Sequence, residues 1–334
     1  MIMPSAGKPG GGFRERLRTL LGVRAEADTP LSRHTSFRVG GPAEMLCRVE
    51  SCDELQGILR ICREEKRPVH ILGGGTNLLA ADTGVRGAVI RLGKAFAFLS
   101  DPPDSGPENG PEDGTERAAD APASVLLRAG AAIPMRVLTG RCACRGLAGL
   151  NIMAGIPGTL GGAVVMNAGT RTGCISERIR SVEFMDGAGE IHEIDRPELV
   201  FRRRETLWPE WISRGPVIVL SVTLELMPGD PGGLIRSLRE SLRARNRSQP
   251  VKFPSAGCYF RNPDTGPPAG LMIDRCGFRG MAVGGAAVSG VHANFIVNTG
   301  GATAADILSL AGIVRKGVAR RFGVWLQEEV HHVS

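Results

Sequence analysis

Between residues 155 and 169 the chain reads Gly155-Ile-Pro-Gly-Thr-Leu-Gly-Gly-Ala-Val-Val-Met-Asn-Ala-Gly169, five glycines and a proline in fifteen positions. Glycine recurs where a Cβ would hold the backbone away from something else. Such density suits a loop whose N–H groups meet the charge of a ligand. Taken alone, it also suits a set of tight turns in a β-rich domain. A second cluster favours the ligand. Pro68-Val-His-Ile-Leu72 predicts a short buried strand that runs into Gly73-Gly-Gly-Thr-Asn-Leu-Leu79. A hairpin turn needs one or two glycines. Three let the backbone curl into successive N–H donors, and Thr76 and Asn77 add short polar side chains. Two such loops, far apart in sequence, point to one extended ligand with a diphosphate, such as a dinucleotide.

The chain has 334 residues, enough for two domains. Its formal charge of +7 suits acidic substrates and also nucleic acid. Aromatic residues make up only 4% and are not interleaved with basic ones, so no base-stacking surface and no nucleic-acid partner is expected. The eight cysteines stand at irregular spacing without a pair of C-x-x-C units, which predicts no metal site. Reduced thiols, no apolar leader and no run near the ~20 apolar residues of a membrane span lead us to expect a cytoplasmic protein. A monomer is expected.

Residues 1–28 are polar and basic and predict a flexible start, although Phe13 to Leu21 suits a short helix. Ser51-Cys-Asp-Glu54 has the form of a capping box, and Leu55, Ile58, Leu59 and Cys62 follow it at helical spacing. Strands are expected at 87–92, 125–130, 182–185, 191–194 and 217–227. Residues 100–124 are rich in Pro, Gly, Asp and Glu and predict a flexible acidic insertion. Pro134 suits the start of a helix toward Arg145. Pro228 to Gly233 marks a domain boundary, followed by a helix over 234–244. Thr303 caps a last helix with Ile307, Leu310, Val314, Val318 and Phe322 on one face, ended by Gly323. The pattern is α+β, with no long βαβ series and no internal repeat.

Seven motifs in fixed order now carry a resemblance. They are His34-Thr-Ser-Phe-Arg-Val-Gly-Gly-Pro-Ala43, Gly73–Leu79, Gly155–Gly169, Pro254-Ser-Ala-Gly-Cys-Tyr-Phe-Arg-Asn-Pro263, Ala269-Gly-Leu-Met-Ile-Asp274, His292-Ala-Asn-Phe-Ile-Val-Asn298 and Leu326-Gln-Glu-Glu-Val330. The chain resembles the UDP-N-acetylenolpyruvoylglucosamine reductases, flavoenzymes of peptidoglycan precursor synthesis. The resemblance implies an FAD-binding domain of the vanillyl-alcohol oxidase-like type over 29–228 and a smaller α+β substrate-binding domain over 229–334. It implies FAD as cofactor, NADPH as hydride donor and UDP-N-acetylglucosamine enolpyruvate as substrate. The only tyrosine, Tyr259, lies inside a motif, so the chain resembles the branch without a tyrosine-bearing substrate loop.

By the same resemblance, FAD is held by Gly73, Gly74, Gly75, Thr76, Asn77 and Leu78. The second loop adds Gly155, Ile156, Pro157, Gly158, Gly161, Gly162, Ala163, Asn167 and Gly169. Arg204 matches the family's carboxylate-clamping arginine, a task for a planar, permanently charged fork. Arg203 and Thr206 replace the tyrosine and serine of that motif, which leaves Arg203 as a rival; without the resemblance, Arg202 to Arg204 read as a solvated basic turn. Cys258 stands where the family has a proton-donating serine. A thiol, with a reference pKa of ~8.5, can serve; nearby positive charge is expected to lower that value. A buried structural cysteine is the alternative. Glu329 matches the glutamate that steadies or protonates the intermediate, with a solvated carboxylate as its alternative. Tyr259, Arg261 and Asn262 are expected to contact the substrate. The adjacent His331 and His332 read as solvated, and His292 as a residue for packing or a local hydrogen bond.

Overall fold

The computed structural model describes residues 12–100, 124–170, 172–212 and 215–334. Residues 1–11 of the expected flexible start and 101–123 of the expected acidic insertion lie outside them. Helix α1 (Phe13–Leu21) forms where its spacing suited one, and its docking corrects the expectation of a flexible start for these residues. Phe13, Leu17 and Leu21 recur every four residues and are all buried, and this narrow stripe docks the helix although its composition is polar. Arg14 and Arg16 fasten it further, to Asp28 at 2.8 Å and Glu65 at 2.9 Å.

Five strands follow: β1 (Ala25–Pro30), β2 (Pro42–Val49), β3 (Val69–Ile71), β4 (Leu78–Ala80) and β5 (Val85–Leu92). Four form a sheet in the order β1-β2-β5-β3, with β2 and β3 parallel to β5. Helix α2 (Cys52–Glu64) is the β2-to-β3 crossover. Ser51 Oγ accepts from the Glu54 amide at 3.2 Å, as a cap should. The carboxylate of Glu54 turns instead to the Glu50 amide at 2.8 Å and to Arg24, so only half of the expected box forms.

The chain continues through β6 (Leu99–Ser100), β7 (Val125–Gly130), α3 (Met135–Cys144), β8 (Leu147–Ala148), α4 (Leu160–Val165), β9 (Gly169–Thr170), β10 (Gly173–Cys174), β11 (Ile179–Met185), β12 (Ile191–Asp195), β13 (Val200–Arg202), β14 (Glu205–Leu207) and β15 (Ile218–Pro228). A second, antiparallel sheet runs β12-β11-β15-β7-β6, with β8 paired to the end of β15. Helices α3 and α4 cover it through Leu138, Cys142, Leu160 and Val164. The sequence did not reveal α4, because glycines at 161 and 162 each disfavour a helix by about 1 kcal/mol. Gly161 is tolerated for packing: a Cβ there would lie 2.9 Å from Ala131 Cβ.

Beyond Pro228 come α5 (Pro231–Ser248), α6 (Ala269–Arg275), β16 (Ala282–Val283), β17 (Ala286–Val288), β18 (Ile296–Asn298), α7 (Ala304–Phe322) and β19 (His331–Val333). Helix α5 packs on α3, joining the first half by contact. The remaining elements build their own core around Tyr259, Phe260, Met272, Ile307, Leu310 and Val314, which Phe37, Val39 and Leu79 enter from the first half.

Two further ties join the halves. Strand β19 lies parallel to β4, pairing His331 with Leu78 and Val333 with Ala80. Thr303 and Asp306 form the capping box of α7, while Asp82 Oδ1 and Oδ2 accept from the Ala304 and Ala305 amides at 2.7 and 3.0 Å. Asp82 thus caps a helix of the other half. Asp82→Ala is expected to lower stability by about 1 kcal/mol, read as a shift in the urea midpoint at unchanged slope.

Candidate active site

The two glycine loops meet. A Cβ on Gly74 would lie 2.6 Å from Gly158 Cα, and one on Gly158 would lie 2.9 Å from Thr76 Oγ1. Gly75 (φ +63°) and Gly158 (φ +108°) adopt conformations open to glycine. A Cβ on Gly75 would also strike the His34 carbonyl at 2.0 Å. The amides from Gly73 to Asn77 find no carbonyl partner among the described residues. The buried Ser36 Oγ and Asn167 Oδ1 also lack partners. Facing curls of bare backbone donors, with orphaned polar atoms beside them, fit the diphosphate of FAD.

Not every residue expected at the cofactor faces this junction. Gly155 lies against Leu242 and Arg245 of α5. Ile156 packs on the core of the antiparallel sheet, Pro157 is exposed, Ala163 is buried in that core and Leu78 sits on β4. A Cβ on Gly162 would meet Thr159 Oγ1 at 3.6 Å, an ordinary contact. Asn167 Nδ2 donates to the Arg202 carbonyl at 2.9 Å, and Gly169 O accepts from Arg204 Nη1 at 2.8 Å. The tail of the second glycine segment therefore holds the arginine hairpin.

That hairpin, β13 to β14, pairs Arg202 with Glu205 across a two-residue turn of Arg203 and Arg204. Thr206 Oγ1 anchors it to the Val164 carbonyl at 2.6 Å. Arg204 adopts φ +61°, a left-handed conformation that costs a non-glycine residue about 1 kcal/mol or more. The strain aims its side chain inward, where Nε donates to Glu329 Oε1 at 2.8 Å. Arg203 is exposed and reaches the Asn262 carbonyl at 3.3 Å.

Glu329 is seated by the first glycine loop: Asn77 Nδ2 donates to its carbonyl at 2.9 Å, and its amide donates to the Tyr259 carbonyl at 2.8 Å. Burial pushes its carboxyl above the usual range, against the pull of Arg204, Arg261 and Arg203. Cys258 completes the group. Its thiol is pushed up to about 11 by burial and by Glu329, while Arg204, Arg245 and a hydrogen bond with Asn294 pull it down. The expected lowering by positive charge is thus corrected: desolvation wins, and the thiol keeps its proton at neutral pH.

Arg204, Cys258 and Glu329, from three distant segments, therefore converge. Arg261 joins them beside Glu329, with its buried Nε lacking a partner. Asn262 Oδ1 accepts from the Ala269 amide at 2.9 Å, at the start of α6. Tyr259 is different. It is 0% exposed, stacked edge-on against Phe260 with its hydroxyl toward His332. Its ring belongs to the core, and this placement offers no surface to a substrate. His292 accepts from the Asn294 amide at 3.2 Å, a local bond as expected. His332 pairs with Glu328 at 2.8 Å, and among the described residues no cluster suits a metal. No described helix is long and apolar enough to cross a membrane.

Two site residues escaped the sequence reading. Asn294, 3% exposed, brackets the segment that carries Cys258 by accepting from the Phe260 amide at 3.0 Å and donating to its carbonyl at 2.8 Å. Its motif had marked it, but without a role. Arg245 stands in a run with Arg243 and Arg247, and nothing in the sequence distinguishes it from them.

Comparison with known proteins agrees with this geometry. Residues 43–195 match the FAD binding domain family, and 249–333 match the C-terminal domain of UDP-N-acetylenolpyruvoylglucosamine reductase. The chain is 40% identical over 321 residues to the UDP-N-acetylenolpyruvoylglucosamine reductase of Desulfosudis oleivorans, covering 96% of this chain and 97% of that protein. The protein of that name from Heliobacterium modesticaldum is 40% identical over 305 residues, covering 91% and 89%. The crystal structure of the reductase from Thermus caldophilus superposes with a TM-score of 0.74 at 34% identity, over 93% of this chain and 99% of that one. The chain belongs to the UDP-N-acetylenolpyruvoylglucosamine reductase family.

Proposed function

We infer that the chain is an FAD-containing reductase that converts UDP-N-acetylglucosamine enolpyruvate to UDP-N-acetylmuramate for peptidoglycan synthesis, with NADPH as hydride donor. The observation that carries this reading is the convergence of Arg204, Cys258 and Glu329 beside paired glycine loops. Bound FAD supplies hydride acceptance and donation. The amides of Gly73 to Asn77, with Gly158 opposite, would hold its diphosphate.

When hydride reaches the terminal enolpyruvyl carbon, negative charge grows on the neighbouring carbon and its carboxylate. Arg204 meets that charge. Its Nε is committed to Glu329 and its Nη1 to Gly169, which leaves Nη2 to donate to a ligand oxygen. The Cys258 thiol gives its proton to the charged carbon and regains one from solvent. Glu329 fixes the Arg204 fork and keeps a carboxylate near the thiol, which resists early proton loss. Arg261 suits the UDP diphosphate, and Asn262 shapes the wall beside it. One chain carries all these groups, so the proposed site needs no second copy.

Anaerobic mixing tests the reading. NADPH should bleach the flavin, and the UDP-sugar should then restore its colour. A flavin that NADPH bleaches and the UDP-sugar cannot reoxidise would sink it. The loop junction makes its own prediction. A side chain at Gly74 meets backbone, not a flexible group. Gly74→Val should weaken flavin binding at least ~10-fold, about 1.4 kcal/mol, visible as loss of flavin absorbance through gel filtration.

A further inference from the structure

Arg245 stands on α5, and its stem crosses the backbone of Gly155. Gly155 has φ +73°, and a Cβ there would lie 2.9 Å from Arg245 Cδ and 3.1 Å from Leu242 Cδ2. The bareness of Gly155 thus makes a slot for an arginine. Within the slot Arg245 Nη1 donates to the Ala154 carbonyl at 3.0 Å and Nε to Gln249 Oε1 at 3.1 Å. Burial lowers the guanidinium's pKa, Cys258 opposes that shift, and the charge of Arg204 adds to it. Arg204 has Glu329 as counter-charge, whereas no carboxylate among the described residues pairs with Arg245. A partly buried cation beside a second cation is costly unless a negative ligand meets it.

We propose that Arg245, seated in the Gly155 slot, is a second cation for the enolpyruvyl carboxylate, which it binds together with Arg204. This rests on the reading of the site given above. The neighbour it shares with Arg204 is Cys258, so the two cations flank the group that would donate the proton.

Flavin difference spectra of the oxidised holoenzyme can separate the two ends of the substrate. The probes are UDP-N-acetylglucosamine enolpyruvate and UDP-N-acetylglucosamine, which has the diphosphate and no carboxylate. Arg245→Met should weaken the first about 10- to 100-fold and the second less than about twofold, with Arg245→Lys between the parent and Met. Gly155→Ala, which evicts the stem, should repeat the pattern of Arg245→Met. Equal weakening of both probes would instead place Arg245 at the diphosphate or in the scaffold and overturn the proposal. Unchanged affinity for both would also overturn it. A parent enzyme that binds the plain UDP-sugar but not the enolpyruvyl one would overturn the functional reading itself.

Discussion

Cys258→Ala is expected to slow reoxidation of the reduced flavin by the UDP-sugar about 10²- to 10⁴-fold, the range for loss of a general acid. Reduction of the flavin by NADPH should be nearly intact, because that half needs no proton from Cys258. Stopped-flow traces of the two halves check this; an equal loss in both would mean that the thiol is structural. The pH profile gives a second readout. The thiol titrates at about 11, raised by burial and Glu329 against Arg204, Arg245 and Asn294. An acid is useful only while protonated, so the substrate half should hold through neutral pH and fall as pH rises through about 11. Cys258→Ser should abolish that alkaline limb, because an alcohol does not ionise there.

Arg204→Ala should cost the substrate half about 10²- to 10³-fold, or about 2.7 to 4 kcal/mol, as when one donor to a developing anion is removed. The directions of its pH effects follow from its neighbours. Arg204 pulls the Glu329 carboxyl down and the Cys258 thiol down. Without it both groups bind protons more tightly, so the alkaline limb set by Cys258 and the protonation of Glu329 should both move to higher pH. Arg204→Lys should recover little, since one ammonium cannot serve Glu329, Gly169 and a ligand in the same plane. Arg203→Ala is the comparison: its exposed side chain bonds the Asn262 carbonyl and acts on Glu329 by charge without pairing with it, so a much smaller loss is expected. If Arg203→Ala produces the loss and Arg204→Ala does not, the assignment of the clamp is reversed.

Residues whose role is written in local pattern could be read from the chain. The Ser51 and Thr303 caps, the helical face of Ile307, Leu310, Val314 and Val318, and the two glycine loops all depend on neighbours within a few positions. The three site residues were legible only through motifs, since Arg204 and Glu329 lie far apart in sequence and become a pair only on folding. Gly155 and Gly158 look alike in sequence, yet one admits an arginine and the other a facing loop. That distinction belongs to tertiary structure. So does the direction of the Cys258 shift: the positive charges could be counted in the sequence, but the burial that outweighs them could not. Tyr259 was misleading because its motif neighbours are at the site while its own side chain turns to the core.

The seam between β4 and β19 brings the Glu329 carbonyl to the side-chain Nδ2 of Asn77. Whatever free energy orders residues 73 to 77 is thereby shared with the segment that carries Glu329. By thermodynamic reciprocity, displacing that segment must loosen the nucleotide's grip in equal measure. Communication between the two ends of the reaction then runs through one amide and a three-rung ladder, with no rotation of one half against the other.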